Sequence, residues 1–256
     1  MTATWPATAV PALGIWVKLP LPEVLEVLVP SGVDFIVLDC EHGPFDGRTM
    51  STMVGVARAL GLTVFVRVIG HSPPDVQPAL DAGADGLFVP HVDDASTARQ
   101  VVDACRFPPI GRRPGSPTTR AGNWGRSSMA DYVARGNTEV TIVAQIESST
   151  AVQSATEVGG VAGLDAIFLG PFDLALSSGL SPASAEFRAM VADVETVAAT
   201  VPLGGVAANA AETDTLLDRG YSFVMVGADT TLLAGAAGSL ISQVKTPTRR
   251  QVQVSM

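Results

Sequence analysis

Eight short apolar runs, each followed by a stretch with helical spacing, constrain this chain more than any other feature. They fall at about 13–19, 35–39, 64–68, 86–89, 140–146, 166–169, 203–206 and 223–226, a length that suits buried strands better than helices. Helical patterns fill the gaps at about 50–60, 75–82, 95–104, 151–158, 212–219 and 231–243. Eight strand–helix repeats in 256 residues predict an α/β protein of the (β/α)8 TIM-barrel type. An open doubly wound sheet has fewer strands and often carries GxGxxG in its first turn, a motif missing here. Neither a linker nor a low-complexity segment divides the sequence. One barrel domain is therefore expected over residues 1–256, with the barrel at about 12–244 and a mobile tail at 246–256.

Composition narrows the function. With 47% hydrophobic and 16% charged residues, the chain can bury one large core. Its longest uncharged stretches are broken by Gly, Pro or Ser, short of the roughly 18 apolar residues a membrane span needs. No basic segment leads into an apolar run at the N-terminus, so no signal peptide and a cytoplasmic location are expected. A net charge of −9 argues against non-specific nucleic-acid binding. Cys40 and Cys105 form neither a CxxC pair nor a zinc pattern.

In a barrel of this kind chemistry sits at the C-terminal ends of the strands. The polar residues that interrupt the apolar runs fall there. Asp39-Cys40-Glu41-His42 closes the second run, Arg67 the third, Pro90-His91 the fourth, and Gln145 and Glu147 the fifth, while Asp173 follows the sixth. Glu147 and Asp173, at the ends of consecutive strands, would face one another and suit a divalent cation. Each also has a plainer reading, as a first-turn acid or a cap of the following helix. Arg67 has one too, an ion pair with Asp39 or Asp85. Among the histidines, His71 reads as a solvated turn residue and His91 as a core or rim histidine satisfied by backbone. Cys40, among carboxylates, reads as a small filler rather than a nucleophile.

The segments Asp39-Cys40-Glu41-His42-Gly43, Val66-Arg67, Gly83-Ala84-Asp85-Gly86 through Val89-Pro90-His91-Val92, Gln145-Ile146-Glu147 and Phe168-Leu169-Gly170-Pro171-Phe172-Asp173-Leu174 resemble, in order and spacing, the HpcH/HpaI aldolases. These are class II pyruvate aldolases on a phosphoenolpyruvate/pyruvate-binding barrel. The resemblance implies a divalent metal (Mg2+, Mn2+ or Co2+) held by Glu147 and Asp173. It implies that pyruvate is gripped by backbone amides near Gly170, Phe172 and Asp173 and lined by Gln145. Arg67 is implied to contact the enolate oxygen, and His42 to be the acid/base. Asp81 is implied to be the orienting carboxylate, reaching across from a neighbouring subunit of a trimer or hexamer. Asp39 and Glu41 would support the metal ligands from behind.

The chemistry asks for such a set. Cleaving the C3–C4 bond of a 4-hydroxy-2-oxo acid leaves an electron pair that must be stabilised, and a cation does this without a Schiff base. Lysines are scarce: only Lys18 and Lys245 occur, and Lys18 alone lies near a strand end. A histidine suits removal of the C4 hydroxyl proton. The segment 106–127 carries five of the 16 basic residues (Arg106, Arg112, Arg113, Arg120 and Arg126). It reads either as a loop over the barrel mouth that meets an anionic aldehyde half or as a source of salt bridges between subunits. Two positions depart from the family pattern: Pro114 replaces the usual Gly and Ala175 the usual Ser. The expected activity is reversible cleavage to pyruvate and an aldehyde. The alternatives are a related carbon–carbon enzyme (a siderophore-type citrate synthase or an acyl-CoA lyase) or a non-catalytic metabolite-binding barrel.

Overall fold

In the computed structural model, which describes residues 11–244, eight parallel strands close on themselves in sequence order. They are β1 (Ala12–Val17), β2 (Phe35–Asp39), β3 (Thr63–Arg67), β4 (Gly86–Val89), β5 (Thr141–Ile146), β6 (Ala166–Leu169), β7 (Leu203–Val206) and β8 (Phe223–Ala228). The helices are α1 (Pro22–Leu28), α2 (Gly47–Ala59), α3 (Pro73–Asp81), α4 (Ala95–Cys105), α5 (Met129–Thr138), α6 (Ser149–Gln153), α7 (Ala155–Gly159), α8 (Pro171–Ser178), α9 (Ala185–Glu195), α10 (Ala210–Asp218) and α11 (Asp229–Gln243). The fold is the (β/α)8 barrel expected from the strand spacing. The helix expected at 151–158 is broken at Ser154, whose φ of −102° and ψ of 3° leave the helical region. The tail at 246–256 lies outside the described residues. No helix of the described residues is long and apolar enough to cross a membrane.

Side chains alternate along each strand, so one set faces the helices and the other fills the barrel. The outward set joins the helices in one large apolar layer. The inward set builds a floor of Phe35, Phe65, Phe88, Phe168 and Phe223 beneath Trp16. Neighbouring rings meet edge to face, as Phe35–Phe65 at 5.6 Å and Phe88–Phe168 at 5.5 Å, the arrangement that ring quadrupoles favour. So many large rings fit because small residues stand opposite them. A Cβ on Gly14 would lie 2.2 Å from the Phe35 ring, and one on Gly204 would lie 2.0 Å from Phe223.

The same alternation continues above the floor and changes character. Two residues beyond Phe65 on β3 comes Arg67, and two beyond Val37 on β2 comes Asp39. In β5 the inward series Val143, Gln145, Glu147 passes from apolar to charged. The mouth is thus the polar end of the inward-facing rows.

One element departs from the barrel pattern. Every residue of 231–244 is exposed, including Leu232, Leu233, Leu240 and Ile241 on α11. Its apolar surface is not packed against the barrel of its own chain.

Candidate active site

Asp39 and Arg67 are register partners on adjacent strands, so their side chains rise together into the mouth. The guanidinium forks onto the carboxylate, with Nε to Oδ1 at 2.8 Å and Nη2 to Oδ2 at 2.7 Å. Its plane lies over Trp16, 4.6 Å from the ring centroid, and Nη1 reaches Glu41 Oε2 at 3.2 Å. Lys18 also pairs with Asp39, and the His42 N–H donates to Asp39 Oδ1 at 3.1 Å. Burial alone would raise the Asp39 pKa. The Arg67 fork and charge, Lys18 and the His42 amide outweigh it and hold the group at about 2. The alternatives weighed for Arg67 therefore coexist: it is ion-paired, with Asp39 and Glu41, and it is fixed at the mouth by that pairing. Asp85 is instead engaged by Arg58 at 2.7 Å.

Glu147 lies between the end of β5 and Ser148, which caps α6 through its own side chain. It is therefore not the first-turn acid of that helix. Its side chain is 3% exposed. Oε1 accepts the His91 N–H at 2.7 Å and Oε2 accepts Gln145 Nε2 at 2.7 Å. Asp173 occupies the first turn of α8, which starts at Pro171 and has no side-chain cap. Burial pushes the Glu147 carboxyl above its ordinary range, with the charges of Glu41 and Asp173 adding to the rise and His91 opposing it. Gly170 allows this approach: a Cβ there would stand 3.0 Å from Glu147 Cβ and 3.1 Å from Oε2. Its own N–H is donated to Ile146 O at 3.0 Å, which leaves the Phe172 and Asp173 amides as the uncapped donors at the start of α8.

The donor set fits a hard divalent cation. Glu147 and Asp173 would offer oxygen donors, their like charges disfavour one another as they stand, and Gln145 Oε1 is a buried acceptor with no partner. Among the described residues no group of three or more His, Cys, Asp and Glu is arranged to hold an ion. Two carboxylates with remaining positions open to substrate and water is the usual arrangement for Mg2+.

His42, 55% exposed, stands at the rim with Nε2 3.9 Å from Glu41 Oε2. Asp81 is not brought into this mouth. It ends α3, roughly 13 Å of helix away from the turn after β3, and contacts Gln77 at 2.9 Å and Arg113 at 3.5 Å. The arginine-rich segment does not reach over its own chain's mouth, which leaves the salt-bridge reading of it open. It follows α4 and leads through α5 to β5, and so lies at the opposite end of the barrel from the mouth. Four of its five arginines are engaged within the chain: Arg106 with Asp165, Arg112 with Asp103, Arg113 with Asp81, and Arg120 with the Ser51 and Ala82 carbonyls. His91, read from sequence as a core or rim residue, has its ring at the mouth, between Glu41 and Glu147. Its position directly after Pro90 at a strand end was the available signal.

A parallel barrel whose mouth gathers carboxylates around an immobilised guanidinium has the makings of a site for small oxyanions. Residues 12–236 match the HpcH/HpaI aldolase/citrate lyase family. The chain is 38% identical over 235 residues to a 4-hydroxy-2-oxovalerate aldolase of Novosphingobium aromaticivorans, covering 88% of this chain and 87% of that one. It is 34% identical to a hydroxypyruvate/pyruvate aldolase of Chromohalobacter salexigens, covering 91% and 92%. Among solved structures, an HpcH/HpaI aldolase/citrate lyase family protein of Burkholderia cenocepacia superposes with a TM-score of 0.87 at 30% identity, covering 93% and 95%. The chain belongs to the HpcH/HpaI aldolase/citrate lyase family and is a carbon–carbon lyase of the pyruvate aldolase class.

Proposed function

We propose that this lyase is divalent-metal dependent and cleaves 4-hydroxy-2-oxo acids reversibly to pyruvate and an aldehyde. The observation that carries the reading is the buried Glu147 carboxylate beside Asp173, with the unpartnered Gln145 Oε1 next to it. Mg2+, Mn2+ or Co2+ held by Glu147 and Asp173 would supply the positive charge that polarises the 2-oxo group. The Phe172 and Asp173 amides, at the positive end of α8, suit the substrate carboxylate. Arg67, locked by Asp39 and Trp16, presents a fixed guanidinium to charge developing as the C3–C4 bond breaks, with little reorganisation required. His42, at the exposed rim where the acceptor half would lie, takes the proton from the 4-hydroxyl and returns it in the synthetic direction. Asp39 and Glu41 hold Arg67 and the rim in register.

Asp81 would orient His42 from a neighbouring copy, since it has no route to its own mouth. The fully exposed apolar face of α11 supports self-association, as a trimer or hexamer. Small-molecule substrates, no nucleic-acid or membrane partner and a cytoplasmic setting complete the proposal. Both named relatives are aldolases, which favours cleavage to pyruvate over the synthase and acyl-CoA alternatives. The test measures pyruvate release from 4-hydroxy-2-oxo acids, with oxaloacetate and CoA thioesters as rival substrates, before and after chelation. Glu147→Gln and Asp173→Asn should each abolish cation uptake and turnover. If both variants keep them, the proposal fails.

A further inference from the structure

We infer that His91 is a positioning residue for the cation site, its ring and its backbone together fixing the Glu147 carboxylate. This rests on the metal role proposed above for Glu147. The His91 N–H and ring Nδ1 both approach one oxygen, Glu147 Oε1, at 2.7 and 3.0 Å. Gln145 Nε2 secures the other oxygen at 2.7 Å. The carboxylate is thus clamped from two sides, by its own strand and by the turn after β4. On its far side the imidazole Nε2 lies 3.2 Å from Glu41 Oε1, while Arg67 takes Glu41 Oε2 at 3.2 Å. Glu41 is therefore held towards Arg67 and His91, and Glu147 is held ready as a ligand.

The backbone gives an independent reason to assign the ring a role. His91 has φ of +55°, in the left-handed region that side-chain-bearing residues rarely adopt. Glycine would present the same N–H without strain. What glycine lacks is the ring, and the ring is not there to fill the core, being 62% exposed. The strained conformation places N–H and imidazole on a single oxygen. Partners that orient metal ligands in this way typically change metal affinity about 10- to 100-fold when removed.

The test is Mn2+ binding without substrate, read from the paramagnetic resonance signal of the free ion, with the melting temperature of the metal-free protein measured alongside. His91→Gly retains the N–H, relaxes the backbone and deletes the ring; His91→Ala deletes the ring at a strained position. Both should bind Mn2+ about 10-fold or more weakly, with His91→Gly leaving the metal-free melting temperature unchanged. His91→Asn tolerates positive φ and offers an amide donor, so it should recover much of the affinity. Binding by His91→Gly as tight as wild type, or tighter, overturns the inference. If Glu147→Gln loses Mn2+ while His91→Gly keeps it, only the role of His91 falls. If the wild-type protein takes up no Mn2+, the metal reading falls and this inference with it.

Discussion

Replacing Asp39 with asparagine separates a charge from a shape at the base of the site. The carboxylate accepts two bonds from Arg67, one from Lys18 and one from the His42 amide. Asparagine keeps the volume and loses the charge. Lowering the Asp39 pKa from 3.8 to about 2 corresponds to roughly 2 kcal/mol, at about 1.4 kcal/mol per tenfold change in proton affinity. Because the folded-state pKa is the depressed one, this stability is present above pH 3.8 and is lost as pH falls through about 2. About half of it should be gone at pH 3. Urea unfolding of both proteins at pH 7, 5, 4 and 3 would measure the difference. The expected gap is about 2 kcal/mol at neutral pH, narrowing steadily below pH 4. A gap that stayed constant down to pH 3, or widened, would refute the claim that Asp39 draws its stability from charge.

Three further outcomes follow from the structure. Burial pushes both thiols up to about 12, helped at Cys40 by the Asp39 charge; neither should react with a thiol reagent at pH 8 until the protein is unfolded, as absorbance of the released chromophore would record. Gly204→Ala drives a methyl group into Phe223 and should cost about 1–3 kcal/mol in chemical unfolding, more than alanine at the open position Gly235. Leu233→Asp together with Leu240→Asp places charge on the exposed apolar side of α11 and should shift sedimentation towards the monomer while the far-ultraviolet spectrum is retained.

All eight strands were legible because each contains a short, mostly buried apolar run, a pattern set by local composition. Helices α1, α5 and α9 were given no place in the sequence reading, and α8 only as the helix that Asp173 would cap. In α5 the helical pattern is weakened by Gly136, a poor helix former. The mouth was legible as well, since strand ends are fixed once the strands are. What stayed hidden depends on contacts distant in sequence. His91 meets Glu147 56 residues away through a left-handed backbone that no local signal announces. The arginines of 106–127 carry no mark of which end of the barrel they will serve; only the order α4, loop, α5, β5 decides it.

The floor of rings below Trp16 has a kinetic consequence. They make the cavity a cup with one opening, in which Glu147 lies deep and His42 and His91 stand at the lip. Two products born in such a cup must depart in sequence, the fragment nearer the lip first and the inner one after it. Cleavage should therefore follow ordered release, with the aldehyde leaving ahead of pyruvate, and in synthesis pyruvate must enter before its partner.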